Sequence, residues 1–129
     1  MSRVFVLLLL SFSFVNFSHA DWPRFKGPNG DDIVDADKQF NPDLTKWSKS
    51  WEINIGNGYS AVSIDGENAY CMGHDGDNTE TLFCLETKTG KIVWKYEYAG
   101  PLLDKQHSGG PNATPTIEGD KIYILGKTG

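Results

Sequence analysis

The residues best suited to chemistry in this sequence lie in two polar segments of its second half. One segment spans 74–80 and the other spans 100–112. The candidates for a binding or reactive surface are His74, Asp75, Asp77, Asp104 and His107. Imidazoles can bind metal ions or transfer protons near neutral pH, and carboxylates suit hard cations such as Ca²⁺. If the two segments converge, two imidazoles lie near several carboxylates.

A simpler interpretation is favoured for each candidate. The pattern Asp75-x-Asp77-x-x-Glu80 lacks the spacing and the glycine of an EF-hand loop, so we favour a solvated hairpin tip. His74 and His107 are favoured as two unrelated surface histidines. No nucleophile stands beside a base in the sequence, so we predict no catalytic residue and no metal ligand. Asn112-Ala-Thr114 fits a glycosylation sequon, which matters only in a eukaryotic secretory host.

The elements around these segments are predicted to be strands joined by tight turns. Alternating side chains and Gly-containing turns predict four strands near 59–64, 68–73, 81–86 and 91–98. In the fourth strand, Trp94, Tyr96 and Tyr98 share one face, which predicts a second sheet packed against it. Residues 60–73 align without gaps on 113–126, with Ile, Gly, Tyr and Gly coinciding. A second unit is therefore predicted to begin at 113.

A further strand is predicted before the first unit. Residues 49–55 alternate with Trp51 on one face, and Trp94 follows Trp51 in the same pattern at the end of the next unit. Four-stranded units that recur every 40 to 50 residues or so predict an all-β chain of β-propeller type, with a β-sandwich as the alternative. The predicted organisation is a lead-in at 21–47 and a propeller start at 48–129, divided into a strand at 49–55, a blade at 59–98 and a partial blade at 113–129.

Antiparallel strands sort the connections into two groups. The two polar segments lie at one end of the units, and the short turns at 65–67, 87–90 and 118–119 lie at the other. Long loops on a rigid scaffold carry function more often than tight turns do. The end with the polar segments is therefore the predicted working surface.

One motif gives the chain a family resemblance. Cys84-x-Glu86-x-x-Thr89-Gly90-x-x-x-Trp94 resembles the tryptophan-docking motif of the pyrroloquinoline-quinone-type (PQQ-like) propeller repeat, usually written A-x-D-x-x-T-G-x-x-x-W. Cys84 and Glu86 depart mildly from this pattern. The stretch from Asp21 to Gly30 is also similar to the start of exported bacterial members. The structural motif residues are then Cys84, Glu86, Thr89, Gly90, Trp94 and the preceding Trp51.

The resemblance implies a ring of about six to eight blades, in which Trp94 stacks on the neighbouring blade. This sequence would then be an N-terminal fragment whose partner is the rest of its own propeller. It also implies a non-catalytic binding or scaffold module that presents its loops to a protein or a small ligand. The alternative is a quinoprotein oxidoreductase that holds PQQ and calcium and oxidises alcohols or sugars.

The first twenty residues have the pattern of a secretory leader. Arg3 precedes an apolar run, and Ser18-His19-Ala20 provides small residues for cleavage, so we predict a signal peptide at 1–20 and a periplasmic or secreted protein. An uncleaved anchor is the alternative, and no stable membrane span is expected after cleavage. The formal net charge of −5 argues against a nucleic-acid partner.

Two further expectations concern single side chains. Cys71 and Cys84 lie symmetrically about a predicted hairpin, so a disulfide and two buried thiols both stay open. Trp22, Phe25 and Phe40 are expected to pin the polar lead-in to the rest of the chain.

Overall fold

The computed structural model describes residues 21–34, 43–103 and 108–126 of the chain. Six strands and a short 3₁₀-helix, Leu44–Lys46, form within these ranges. The strands are β1 (Ser63–Asp65), β2 (Asn68–His74), β3 (Thr79–Glu86), β4 (Ile92–Ala99), β5 (Thr116–Glu118) and β6 (Lys121–Tyr123). Among the described residues, no helix has the length and apolarity needed to cross a membrane.

The strands form two antiparallel sheets, which confirms the all-β prediction. The first sheet has the order β1-β2-β3-β4, and the second pairs β5 with β6. The same turn opens each sheet, because Gly66 and Gly119 hold equivalent positions with φ of +55° and +59°. Glycine takes such angles without the steric penalty that a Cβ adds. The repeat in the sequence is thus a repeat of a hairpin.

The first sheet carries a hydrophobic cluster on each of its faces. On one face, Tyr70, Met72 and Cys84 pack with Ile117 of the second sheet. On the opposite face, the cluster that includes Leu85 is covered by Trp51, Ile53 and Ile55 from the segment before β1. The first sheet therefore lies between that segment and the second sheet.

Residues 49–55 do not form the predicted strand in the described part of the chain. Their side chains alternate as expected, since Trp51, Ile53 and Ile55 are half-buried while Glu52 and Asn54 are exposed. The segment covers a face of the first sheet rather than pairing along an edge of it. An alternating sequence indicates which side chains face a core. A β-ladder also requires a neighbouring strand with which to form backbone hydrogen bonds.

The strands at the start of each unit are also shorter than predicted. β1 begins at Ser63 rather than near 59, because the residues before it bond to the start of the second unit. The Tyr59 N–H donates to the Pro111 carbonyl over 2.8 Å, and the Ala61 N–H donates to Thr114 Oγ1 over 3.1 Å. These contacts replace a β1–β2 ladder over residues 59–61.

Cys71 and Cys84 are both buried free thiols. The β2–β3 register pairs Cys71 with Phe83 and Cys84 with Tyr70. The prediction of a symmetric hairpin, in which the two cysteines lie opposite each other, is therefore wrong by one residue. A shift of one residue reverses the face of a side chain, and the two thiols lie in the clusters on opposite faces of the sheet.

The lead-in is held by Trp22 but not by Phe25. Trp22 is half-buried and forms an isolated antiparallel bridge with Ile64 of β1. Phe25 is 62 % exposed, so the expectation that it pins the segment is wrong. Phe40 lies outside the described residues.

β4 is an edge strand with an exposed aromatic surface. Trp94 is 40 % exposed and Tyr96 is 59 % exposed, although they lie on the face that carries Tyr70 and Cys84. The second sheet covers the part of this face near β2 and β3. Within the described residues, the second sheet therefore leaves Trp94 and Tyr96 partly uncovered.

Candidate functional site

The polar segments do converge at one end of the first sheet, as far as they are described. This end, named here the loop end, comprises residues 56–59, 74–80, 98–103 and 108–112. The Gly100 N–H donates to the Asn78 carbonyl over 2.9 Å. Tyr59 Oη and Ser108 Oγ lie 2.7 Å apart in a hydrogen bond. The connections around the loop end therefore form one bonded surface.

His74 lies beneath this surface and is 1 % exposed. Its Nδ1 accepts the Gly76 N–H over 2.9 Å, and its Nε2 lies 2.7 Å from the Gly100 carbonyl oxygen. A backbone N–H can only donate, so Nδ1 carries no proton and Nε2–H is the donor to Gly100. The buried imidazole therefore links the connection after β2 to the connection after β4 through these two hydrogen bonds. It is therefore not the surface histidine that we favoured.

Asp75 shapes the hairpin turn that follows His74. Its Oδ1 accepts the N–H groups of Asp77, Asn78 and Thr79 at 2.8, 3.1 and 3.1 Å. These bonds, above all the one from the Asp77 backbone, lower the pKa of the Asp75 carboxyl to about 2. A carboxylate used in this way closes an Asx-type turn. The structure agrees with a solvated hairpin tip for Asp75 and Asp77, which are exposed, but the prediction is wrong for Glu80, which is buried.

The two remaining candidates, Asp104 and His107, lie outside the described residues. Within the described ranges, no group of three or more His, Cys, Asp or Glu side chains is close enough together to hold a metal ion.

Glu80, which completes the Asp75-x-Asp77-x-x-Glu80 pattern, is buried, although it was not among the candidates for the binding surface. Glu80 is 0 % exposed and lies between His74 and Tyr98 in the strand registers, so the three side chains form a row across β2, β3 and β4. Tyr98 donates its hydroxyl to Glu80 Oε2 over 2.6 Å. Burial and this bond to a carboxylate raise the pKa of Tyr98.

The second oxygen of Glu80 is an exception in the core. Oε1 is buried and has no hydrogen-bond partner among the residues that the structure describes. Gly100 and Gly126 pack against the same side chain, because an added Cβ would lie 2.8 Å from Glu80 Cγ at Gly100 and 2.9 Å from Oε2 at Gly126. The signal in the sequence was the position of Glu80, in phase with the buried Leu82 and Cys84. A charged residue in an apolar phase indicates a buried polar contact.

An open cavity of about 190 Å³ is lined by Asn112, Ala113, Leu125 and Gly126. Gly126 thus borders both this cavity and the Glu80 carboxylate.

The opposite end of the sheet, named here the turn end, comprises residues 65–67, 86–91 and 118–120. Here the Trp51 indole lies directly on Gly90, where an added Cβ would stand 2.4 Å from the ring. Trp51 Nε1–H donates to the Thr87 carbonyl over 2.8 Å. Gly90 has φ of +71°, and its N–H donates to the Glu86 carbonyl over 2.8 Å. A half-buried tryptophan from one segment is therefore fixed on the turn of the next.

The other residues of the motif build that turn. Thr89 Oγ1–H donates to the Glu86 carboxylate, and the Lys91 N–H donates to Thr89 Oγ1 over 3.2 Å. Cys84 is 0 % exposed and lies opposite Trp94 in the β3–β4 register. The Trp94 ring contacts Tyr70 at a centroid distance of 5.9 Å. Unlike Trp51, it has no turn beneath it among the described residues.

No family model, curated protein or solved structure matches this chain.

Proposed function

We propose that the chain is the N-terminal part of an exported β-propeller of the PQQ-like type and acts as a non-catalytic binding or scaffold module. The observation that carries the proposal is the contact of Trp51 with the Thr89-Gly90 turn, in which the ring lies on Gly90 and Nε1–H reaches the Thr87 carbonyl. This is a contact between successive units, and Trp94 offers the same group one repeat later.

The order in which the units pack supports the ring. Residues 51–55 cover one face of the first sheet, and the second sheet, built on the same hairpin, covers the other. Units that stack face to face in chain order, each strongly twisted, are the arrangement from which propellers close. A sandwich of two sheets would not need a third unit on the outer face.

The loop end is the binding face in this proposal. Hydrogen bonds from His74 and between Gly100 and Asn78 hold two connections in place before any ligand arrives. A preordered surface loses less conformational entropy on binding than mobile loops do. Asp75 and His74 serve this surface as structural groups, which favours recognition over chemistry at these positions.

The competing activity requires PQQ and calcium, whereas two polar residues of the loop end, His74 and Asp75, already use ligand atoms in hydrogen bonds within the fold. Calcium needs six to eight or so oxygen ligands. Asp75 Oδ1 already accepts three backbone N–H groups, and both ring nitrogens of His74 are bonded.

The test uses the complete protein that contains this chain, mixed with PQQ and Ca²⁺. We expect no calcium-dependent retention of the quinone in equilibrium dialysis and no dye-linked oxidation of alcohols or sugars. Calcium-dependent retention of the quinone, or dye-linked oxidation, would contradict the scaffold proposal and favour the oxidoreductase.

A second measurement locates the binding face. A photo-crosslinking residue placed at the exposed Asp77, in the protein's own compartment, should give adducts with a defined partner. The matched control is the same residue at Lys88, which is exposed at the turn end. Equal adducts from both positions would contradict the assignment of the loop end.

A further inference from the structure

We infer that Trp22 and Pro23 form a main-chain clasp that holds the two sheets together. Trp22 N–H donates to the Ile64 carbonyl over 3.0 Å, and Ile64 N–H donates back to the Trp22 carbonyl over 2.9 Å. One residue later, the Ile117 N–H donates to the Pro23 carbonyl over 2.7 Å. Three hydrogen bonds from two consecutive residues thus reach both sheets.

The two sites that the clasp contacts are equivalent. Ile64 and Ile117 hold the same position in the aligned repeats, each in the first strand of its sheet. Ile64 is paired with Ala69 of β2 and Ile117 with Ile122 of β6. The clasp occupies the edges of β1 and β5 that face away from those ladders. It therefore fills two open edges that would otherwise expose unpaired main-chain groups.

Proline suits the second position of the clasp. Pro23 is buried and contributes only a carbonyl, which Ile117 uses. Proline has no N–H, so its burial leaves no donor without a partner.

The loop after Pro23 packs against the Trp22 side chain. Gly27 lies under the Trp22 ring, where an added Cβ would stand 2.8 Å from it. Lys26 and Asp32 both have positive φ, at 66° and 60°. The Asp32 N–H donates to the Lys26 carbonyl over 3.1 Å, and their side chains form an ion pair at 3.5 Å. A non-glycine backbone at such angles persists where the surroundings fix it. The loop that carries Gly27 is thus held in shape by its own hydrogen bond and ion pair.

Two glycines of the loop provide a matched pair of variants in the full chain. Gly27 and Gly30 both have positive φ, at 75° and 72°, so alanine adds the same backbone strain at either. Only the Cβ at Gly27 meets the Trp22 ring, because an added Cβ at Gly30 has nothing within 4 Å. Gly27→Ala should open the clasp, and Gly30→Ala should leave it closed.

The measurement is amide hydrogen exchange at single residues. We expect the Ile64 and Ile117 amides to exchange together, at least about tenfold faster in Gly27→Ala than in Gly30→Ala, since both lose their acceptor when the clasp opens. The Glu86 amide, bonded to the Lys91 carbonyl at the turn end, should not change. Trp22→Ala, which removes the anchor without backbone strain, should reproduce the effect.

Three results would overturn the inference. Unchanged Ile117 exchange would show that the second sheet is held by other contacts, such as the bond from Ser63 Oγ to the Pro115 carbonyl. Faster exchange at Ile64 alone would show that the two sheets are not joined through this segment. Equal acceleration at Glu86 would show a general loss of structure.

Discussion

The turn end and the loop end of the first sheet use polar residues in opposite ways. At the turn end, a short motif orders a tight turn so that a side chain from another unit can dock on it. At the loop end, the polar side chains bond mostly to their own surroundings: Asp75 to its turn, His74 to Gly76 and Gly100, and Tyr98 to Glu80. The loop-end side chains that were candidates for chemistry therefore stabilise the fold through their hydrogen bonds.

The two ends of the sheet depend on different kinds of contact. The contact at the turn end depends on the absence of an atom, the Cβ of Gly90, and on one indole N–H. The loop end depends on hydrogen bonds to buried groups, and Glu80 Oε1 is the buried oxygen that no described residue pairs. Substitutions should therefore act by steric exclusion at one end and by loss of buried bonds at the other.

The largest effect is expected at the turn end, for Gly90→Ala. The new Cβ would lie 2.4 Å from the Trp51 ring at a φ of +71°. We expect the free energy of unfolding to fall by about 3–4 kcal/mol, the sum of left-handed strain and overpacking. Gly66→Ala is the control, because its φ is also positive and nothing lies within 4 Å of the added Cβ. It should lose only about 1–2 kcal/mol in the same urea titration. Equal losses would mean that Trp51 does not rest on the turn.

The second prediction concerns Tyr98→Phe at the loop end. The variant leaves both oxygens of the buried Glu80 without a donor, which we expect to destabilise the fold by about 2 kcal/mol. Tyr96→Phe is the control, since its ring lies 6.0 Å from that of Tyr98 and Tyr96 is 59 % exposed. Thermal unfolding of both variants gives the comparison. A neutral Tyr98→Phe would show that the carboxyl of Glu80 is satisfied without the tyrosine.

The third prediction returns to the turn end and compares Trp51 with Trp94, the tryptophan that follows it in the sequence pattern. Trp51→Phe removes the hydrogen bond to the Thr87 carbonyl and should destabilise this chain by about 1 kcal/mol. Trp94→Phe should change it by less than about 0.5 kcal/mol, since no turn lies beneath that ring in the described residues. In the complete propeller that we propose, the two losses should become equal. A persistent difference there would argue against a following blade.

Much of the turn end could be predicted from the sequence, because its signals are local. Thr89-Gly90 specifies a turn, and the alignment of residues 60–73 on 113–126 specifies a repeated hairpin. The ladder expected for 49–55 could not be predicted, because alternation gives the buried face of Trp51, Ile53 and Ile55 but not a partner strand. The register that separates Cys71 from Cys84 also depended on the length of one turn.

The loop end was less predictable because its contacts join distant parts of the chain. The acceptor of His74 is Gly100, and the donor to Glu80 is Tyr98, which lies in the next strand. A histidine in a polar segment is normally exposed, and only the fold places this one beneath a second loop. The place of Glu80 in the apolar phase of β3 was the one local sign of a buried polar row.

The smallest effect is expected at the surface of the loop end, from the charge of Asp75. Its folded pKa of about 2 lies below the ordinary value of 3.8, so the ionised form favours the folded state. This contribution is complete above the unfolded pKa and disappears as the pH falls through the folded pKa. The stability gap between the native chain and Asp75→Asn, which keeps an acceptor oxygen but has no charge, should therefore be constant near neutral pH and close between about pH 4 and pH 2. Asp77→Asn, at the same exposed tip, should show no comparable gap in urea titrations at each pH. A gap for Asp75→Asn that persists at pH 2 would mean that the carboxylate acts through shape rather than charge, and that the two ends of the sheet differ less than their hydrogen bonds indicate.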